Sequence, residues 1–158
     1  MKLDLTGLDT VTVGDPVLAD QVVFARISSA VLKDQKADPS RKNLVVVMKI
    51  LNEKVIDTEN NEIAPGNMSL FYQFSMAPNP EKNYNPVSRV KELLIACGYK
   101  NEHMAEIMGS DDEFQNHIIG KDVKAKIRYR APEGNYAERH DVHYLNAIRE
   151  SDNFTPPA

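Results

Sequence analysis

Apolar and polar positions alternate with a period of two along several stretches of this chain, which predicts a protein built mainly from β-strands. The clearest case is Val123 to Arg130. Val123, Ala125, Ile127 and Tyr129 fall on one face, and Lys124, Lys126, Arg128 and Arg130 on the other. Ala131-Pro132-Glu133-Gly134-Asn135 supplies a turn, because Pro, Gly and Asn adopt the constrained backbone that a short loop needs. A return arm from Tyr136 to Ile148 completes a hairpin, with Val142, Tyr144 and Ile148 expected inward. Earlier, Gln21–Lys33 reads as a long first strand whose alternation leaves the inward face open; Ala25, Ile27 and Val31 are one candidate inward set, which would put Arg26 outside. Asn43–Asn52 is an apolar second strand whose outer face carries Val45, Val47 and Lys49. Val55 to Pro65 forms a short strand and turn. Met68–Met76 alternates again, placing Phe71 on the polar face.

Between the third strand and the hairpin the period changes. Asn85 is a good N-cap with Pro86 behind it, and Val87, Val90, Leu94 and Cys97 recur at helical spacing up to Gly98. A short helix from Asn101 to Met108 follows. Ser110-Asp111-Asp112-Glu113 then resembles a capping box that opens a third short helix. The order is strand, strand, strand, helical insert, strand, strand. It predicts a mainly β protein with the β1-β2-β3-α-β4-β5 order of an OB-fold-like five-stranded barrel, and a β-sandwich with a helical insertion uses the same elements. The expected organisation is an N-terminal arm (1–20), an OB-like domain (21–149) with its insert at 86–118, and a flexible tail (150–158).

Composition narrows the functional classes. The chain has 158 residues and a formal net charge of -4, yet Lys121–Arg130 holds five basic residues and one acid, leaving -8 on the remainder. Such asymmetry suits a polyanion site on an acidic body. Its alternative is a solvated strand face. Cys97 is the single cysteine, which excludes an intrachain disulfide, and it reads as a buried small hydrophobe. No signal-peptide core or membrane-length apolar run is visible, so a cytoplasmic location is expected, with no membrane partner.

Ile119-Gly120-Lys121-Asp122-Val123-Lys124-Ala125-Lys126-Ile127-Arg128-Tyr129-Arg130, followed by Tyr136, Val142 and Tyr144-Leu145, resembles the C-terminal half of phage-encoded OB-fold single-stranded-DNA-binding proteins. Leu93-Leu94-Ile95-Ala96-Cys97-Gly98, ending a helix before the hairpin, is similar too. The family usually has Asn before the valine of the last strand, where this chain has His140-Asp141. The resemblance implies a role in phage DNA replication or recombination, in the host cytoplasm.

Single strands are held by cationic grooves and by aromatic rings that stack on bases. On an OB plan the candidate set is Arg41 and Lys42 at the end of the first loop, and Lys49 and Phe71 on the outward faces of strands two and three. Lys126, Arg128 and Arg130 enter the last loop and Tyr136 leaves it. Each has a plainer reading: a solvated loop for Arg41 and Lys42, a surface position for Lys49, packing under the N-terminal arm for Phe71, and an ordinary hairpin aromatic for Tyr136.

An enzyme is not expected. The chain lacks a phosphate-cradling Gly-rich loop and a Gly-x-Ser-x-Gly elbow. Asp141 and His143 share a strand face but form too small a metal set, so neither a metal nor a cofactor is expected. The expected partner is single-stranded DNA, with replication or recombination proteins at the C-terminal tail and an oligomer as further options. The competing function is a protein–protein module, a replisome adaptor or virion component, without nucleic-acid contact.

Overall fold

A computed structural model of the chain describes residues 16–109 and 114–157. The main sheet is antiparallel and five-stranded. It contains β1 (Gln21–Asp34), β2 (Lys42–Ile50), β5 (Ser69–Ser75), β6 (Asp122–Arg130) and β7 (Arg139–Asn146), in the spatial order β5-β2-β1-β6-β7. β3 (Val55–Ile56) and β4 (Glu62–Ile63) pair as a separate two-stranded hairpin between β2 and β5. Helices α1 (Pro86–Ala96) and α2 (Asn101–Gly109) form the insert between β5 and β6.

The period-two pattern becomes an inner and an outer face. Val23, Ala25 and Ile27 of β1, Leu44, Val46 and Met48 of β2, Leu70 of β5, and Val123, Ala125 and Ile127 of β6 are buried in one core that also takes in Val90, Leu93 and Leu94 of α1. Burying such side chains is worth about 1.5–3 kcal/mol each, so this shared inner face fixes the register of four strands. Helix α1 starts as its sequence requires, with Asn85 Oδ1 accepting a hydrogen bond from the Val87 amide at 3.0 Å. It ends where Gly98 takes a φ of 94°, a left-handed conformation that a side chain would strain. Val90, Leu93 and Leu94 are buried, whereas Val87, expected inward, is exposed at the first turn.

Two bulges revise the expected faces. Ile27 pairs with Met48 but Ser29 pairs with Val47, so Ser28 is an extra residue in β1. The bulge reverses the alternation beyond it: Ala30 is buried, and Val31, from the candidate inward set, is 47% exposed. In β7, Val142 faces Ile127 and Tyr144 faces Lys126, leaving His143 as the extra residue. Tyr144 is therefore turned outward, contrary to expectation, and Leu145 packs against the core instead.

The expected barrel is not closed. β5 and β7 approach each other, and α1 packs on both, but among the described residues no ladder joins them. Pairing also departs from simple succession, since the first strand occupies the centre of the sheet, between β2 and β6.

Most of the expected N-terminal arm and the proposed capping box at 110–113 lie outside the described residues. Within the arm, Leu18 is fully buried, and its amide donates to His140 Nδ1 at 3.0 Å, tying residues 16–20 to β7. The segment expected to be a flexible tail lies along the outer face of the sheet, with Phe154 stacked on Phe24 at 4.4 Å between centroids. Among the described residues no helix is long and apolar enough to cross a membrane.

Candidate nucleic-acid interface

The outer face of the main sheet mixes apolar, aromatic and cationic side chains. Phe71 on β5 lies beside Val47 on β2, which lies beside Ser29 on β1. The next row holds Lys49 beside Arg26, and beyond Arg26 is Asp122 of β6. On the other side of β1, Val22 pairs with Lys126, which pairs in turn with Tyr144. Phe71 is 59% exposed, far more than a strand residue held for packing. Most of the N-terminal arm, under which the plainer reading packs Phe71, lies outside the described residues.

The candidate residues divide into three places. Arg41 and Lys42 stand at the end of the β1–β2 loop, where Lys42 forms an ion pair with Asp34. Lys49 and Phe71 are exposed on the outer face. Lys126 is on the same face, while Arg128, Arg130 and Tyr136 continue toward the β6–β7 turn. Tyr136 is 69% exposed, and the Arg139 guanidinium sits 5.1 Å from its ring centre.

Because the sheet curls, Arg128 returns toward β5. A cleft of about 420 Å³ between the β5 and β7 edges is lined by Phe71, Gln73, Arg89, Arg128, Asp141 and His143, among others. Phe71 and Gln73 also belong to the outer face, so the cleft opens onto it. Arg89 reaches in from α1, donating to the Tyr72 hydroxyl at 2.8 Å with its guanidinium over the Tyr72 and Phe74 rings. Burial is the main reason that the Tyr72 hydroxyl titrates above its ordinary value, with Arg89 opposing it.

Acids hold most of the hairpin's cations. Arg128 donates from Nε and a terminal nitrogen to the two Asp141 carboxylate oxygens, both at 3.2 Å, and Arg130 Nε is 4.0 Å from the same group. Lys124 pairs with Asp152 at 3.0 Å. Asp152 is held below the usual carboxylate range by the Arg149 amide first and Lys124 second. Lys126 makes no ion pair among the described residues. These cations share one face, as their alternation requires, but their partners arrive from β7 and from the tail.

Several residues of this surface were not singled out from the sequence. Phe24 and Arg26 alternate outward from the buried Val23, Ala25 and Ile27, so the period-two pattern contained that signal. Arg26 is committed to Asp122, with oxygens at 2.7 and 3.1 Å. Tyr144 was concealed by the β7 bulge, and nothing local marked Arg89. Asp141 and His143, the weak metal pair, are separated in role: Asp141 holds arginines, while the exposed His143 lies against the Tyr144 ring. Among the described residues, no group of three or more His, Cys, Asp and Glu side chains is placed to share a metal ion.

No protein-family model matches the chain, and no curated protein does. Among solved structures it is similar to a chain of yeast RPA bound to ssDNA, at 13% identity and a TM-score of 0.35, over 97% of this chain and 93% of that one. A TM-score of this size does not establish a shared fold.

Proposed function

We propose that the chain is a sequence-independent single-stranded-DNA-binding protein, a binding protein rather than an enzyme, built on an OB-like sheet. The observation that carries this reading is the exposed Phe71 ring at the mouth of a cleft that also holds Arg89 and Arg128. An exposed ring offers a base a stacking surface whatever its sequence, and neighbouring cations neutralise the adjoining phosphates. Lys49, Lys126 and Tyr144 extend the same surface across the sheet, and the β1–β2 loop with Arg41 and Lys42 borders one end of it. Action in DNA replication or recombination, in a phage-encoded setting, is the cellular role consistent with the sequence resemblance.

The second reading, a protein-docking module, is favoured by one specific observation: Asp141 and Asp152 already satisfy Arg128, Arg130 and Lys124. The two readings separate on the variant Lys126→Glu with Arg128→Glu. The single-strand reading expects this variant to lose most oligonucleotide affinity while keeping the wild-type circular dichroism spectrum. Undiminished binding by a folded double variant removes this face from the site.

A further inference from the structure

A second hollow, of about 390 Å³, lies between the β1–β2 loop, the end of β5 and the loop that precedes α1. Arg41, Lys82 and Arg89 line it, with Phe74 and Tyr84 as aromatic walls and Asn79 at its rim. The Nε atoms of Arg41 and Arg89 are both buried from solvent, and neither has a hydrogen-bond partner. Three cations thus meet at one hollow whose lining holds no carboxylate, an arrangement that calls for an anion from outside. Among the described residues no carboxylate forms an ion pair with Arg41, Lys82 or Arg89. The nearest acid in sequence to Arg41, Asp38, accepts from the Ser40 amide and hydroxyl at 3.1 and 2.6 Å, and the Arg41 charge is a lesser influence on it.

Each cation is fixed by a different element. Arg41 is held through its backbone, its amide donating to the Asp38 carbonyl at 3.0 Å and its own carbonyl accepting from the Gln35 amide at 2.9 Å. Arg89 is braced by the Tyr72 hydroxyl and two rings. Lys82 ends a single 3-10 turn, Pro80–Lys82, inside a clip closed by reciprocal backbone hydrogen bonds between Asn79 and Tyr84. The Tyr84 hydroxyl anchors that clip to the Ser75 carbonyl. Two planar forks and one ammonium, arriving from three sides, match the several oxygens of a phosphate better than the two of a carboxylate.

We propose that this hollow is a phosphate seat formed by Arg41, Arg89 and Lys82, and that it takes a backbone phosphate of the bound single strand. The seat follows from three cations around one hollow without a carboxylate, while the strand as the source of the phosphate rests on the single-strand reading. Ser75, at the edge of the hollow, is four residues along β5 from Phe71, a separation of ~13 Å. A strand stacking a base on Phe71 therefore reaches the seat within a few nucleotides.

The test is NMR of the Arg side-chain Nε–Hε resonances in the full chain, titrated first with inorganic phosphate and then with oligo-dT. Arg41→Gln and Arg89→Gln assign the two resonances by their disappearance. The proposal expects Arg41 and Arg89 to shift together on one saturating curve with phosphate, and along the same direction with oligo-dT at lower concentration. Lys82→Gln, an exposed change on a single turn, should weaken phosphate several-fold without unfolding the protein. Shifts no larger than that of the exposed Arg149 overturn the seat. Phosphate shifts that oligo-dT does not reproduce, in a protein that binds oligo-dT, overturn the strand as the source. If no oligo-dT binds at all, the single-strand reading fails by itself, and the phosphate titration still decides the seat.

Discussion

Replacing Asp141 by Asn should strengthen single-strand binding and make it more sensitive to salt. One carboxylate now holds Arg128 through two hydrogen bonds of 3.2 Å and draws Arg130 Nε to 4.0 Å. Its side chain and those of both arginines are about 40% exposed, so the pairing is screened by solvent. Asn keeps the shape of the side chain but removes its charge, and the loss in stability should stay within about 1 kcal/mol, the usual worth of an exposed ion pair. Both guanidiniums become available to phosphates. Each phosphate newly contacted on a single strand steepens the plot of log affinity against log salt by about 0.7. Two released arginines therefore add about 1.4 to the slope, so raising salt fourfold should cost the variant ~7-fold more affinity than it costs the wild type. The assay is fluorescence anisotropy of labelled oligo-dT across that salt range, with thermal unfolding as the control. A folded variant with a slope equal to or shallower than wild type would refute the argument that Asp141 competes with phosphate for these arginines.

Phe71→Ala should weaken oligo-dT binding by about 1–3 kcal/mol, the worth of one stacked base, and barely change the melting temperature, since the ring is 59% exposed. Asp152 is depressed below its ordinary 3.8, so its contribution to holding the tail is present above that pH and lost as pH falls through the depressed value. The Phe154 ring resonances should therefore move toward unstacked positions in acid before global unfolding, and this early step should be absent in Asp152→Asn. Burial pushes the Cys97 thiol from 9.0 up to about 12, against a small opposing effect of Lys121. Its alkylation near neutral pH should be slower than that of an unstructured cysteine by on the order of a thousandfold, and a comparable rate in the folded protein contradicts the raised titration of this partly buried thiol.

The strands were legible because each has one face in a shared core. Ala125 and Ile127 cannot be buried without sending Lys124 and Lys126 outward, and the sequence states that directly. The cap at Asn85 and the stop at Gly98 were legible for a similar reason, since each is a local backbone requirement. Bulges were not. Ser28 and His143 are extra residues only relative to a partner strand, and a single chain read along its length contains no partner. Tyr144 was therefore assigned to the wrong face, and the candidate inward set of the first strand wrongly included Val31. Long-range electrostatics were invisible for the same reason. Asp141 lies 13 residues from Arg128, and Asp152 lies 28 from Lys124, so what looked like a run of free cations is mostly paired. Arg89 shows the limit most clearly: on the helix it is an ordinary polar position, and only the packing of α1 against β5 places it between two cavities.

Single-strand binding itself is tested by an anisotropy titration of labelled oligo-dT of about 30 nucleotides, at several salt concentrations, against a duplex of equal length, where each phosphate contact on the single strand contributes about -0.7 to the salt slope. Binding to the single strand is expected to weaken linearly on the logarithmic salt plot, with far weaker binding to duplex. No binding to the single strand even at low salt, or equal binding to both, would contradict the single-strand reading.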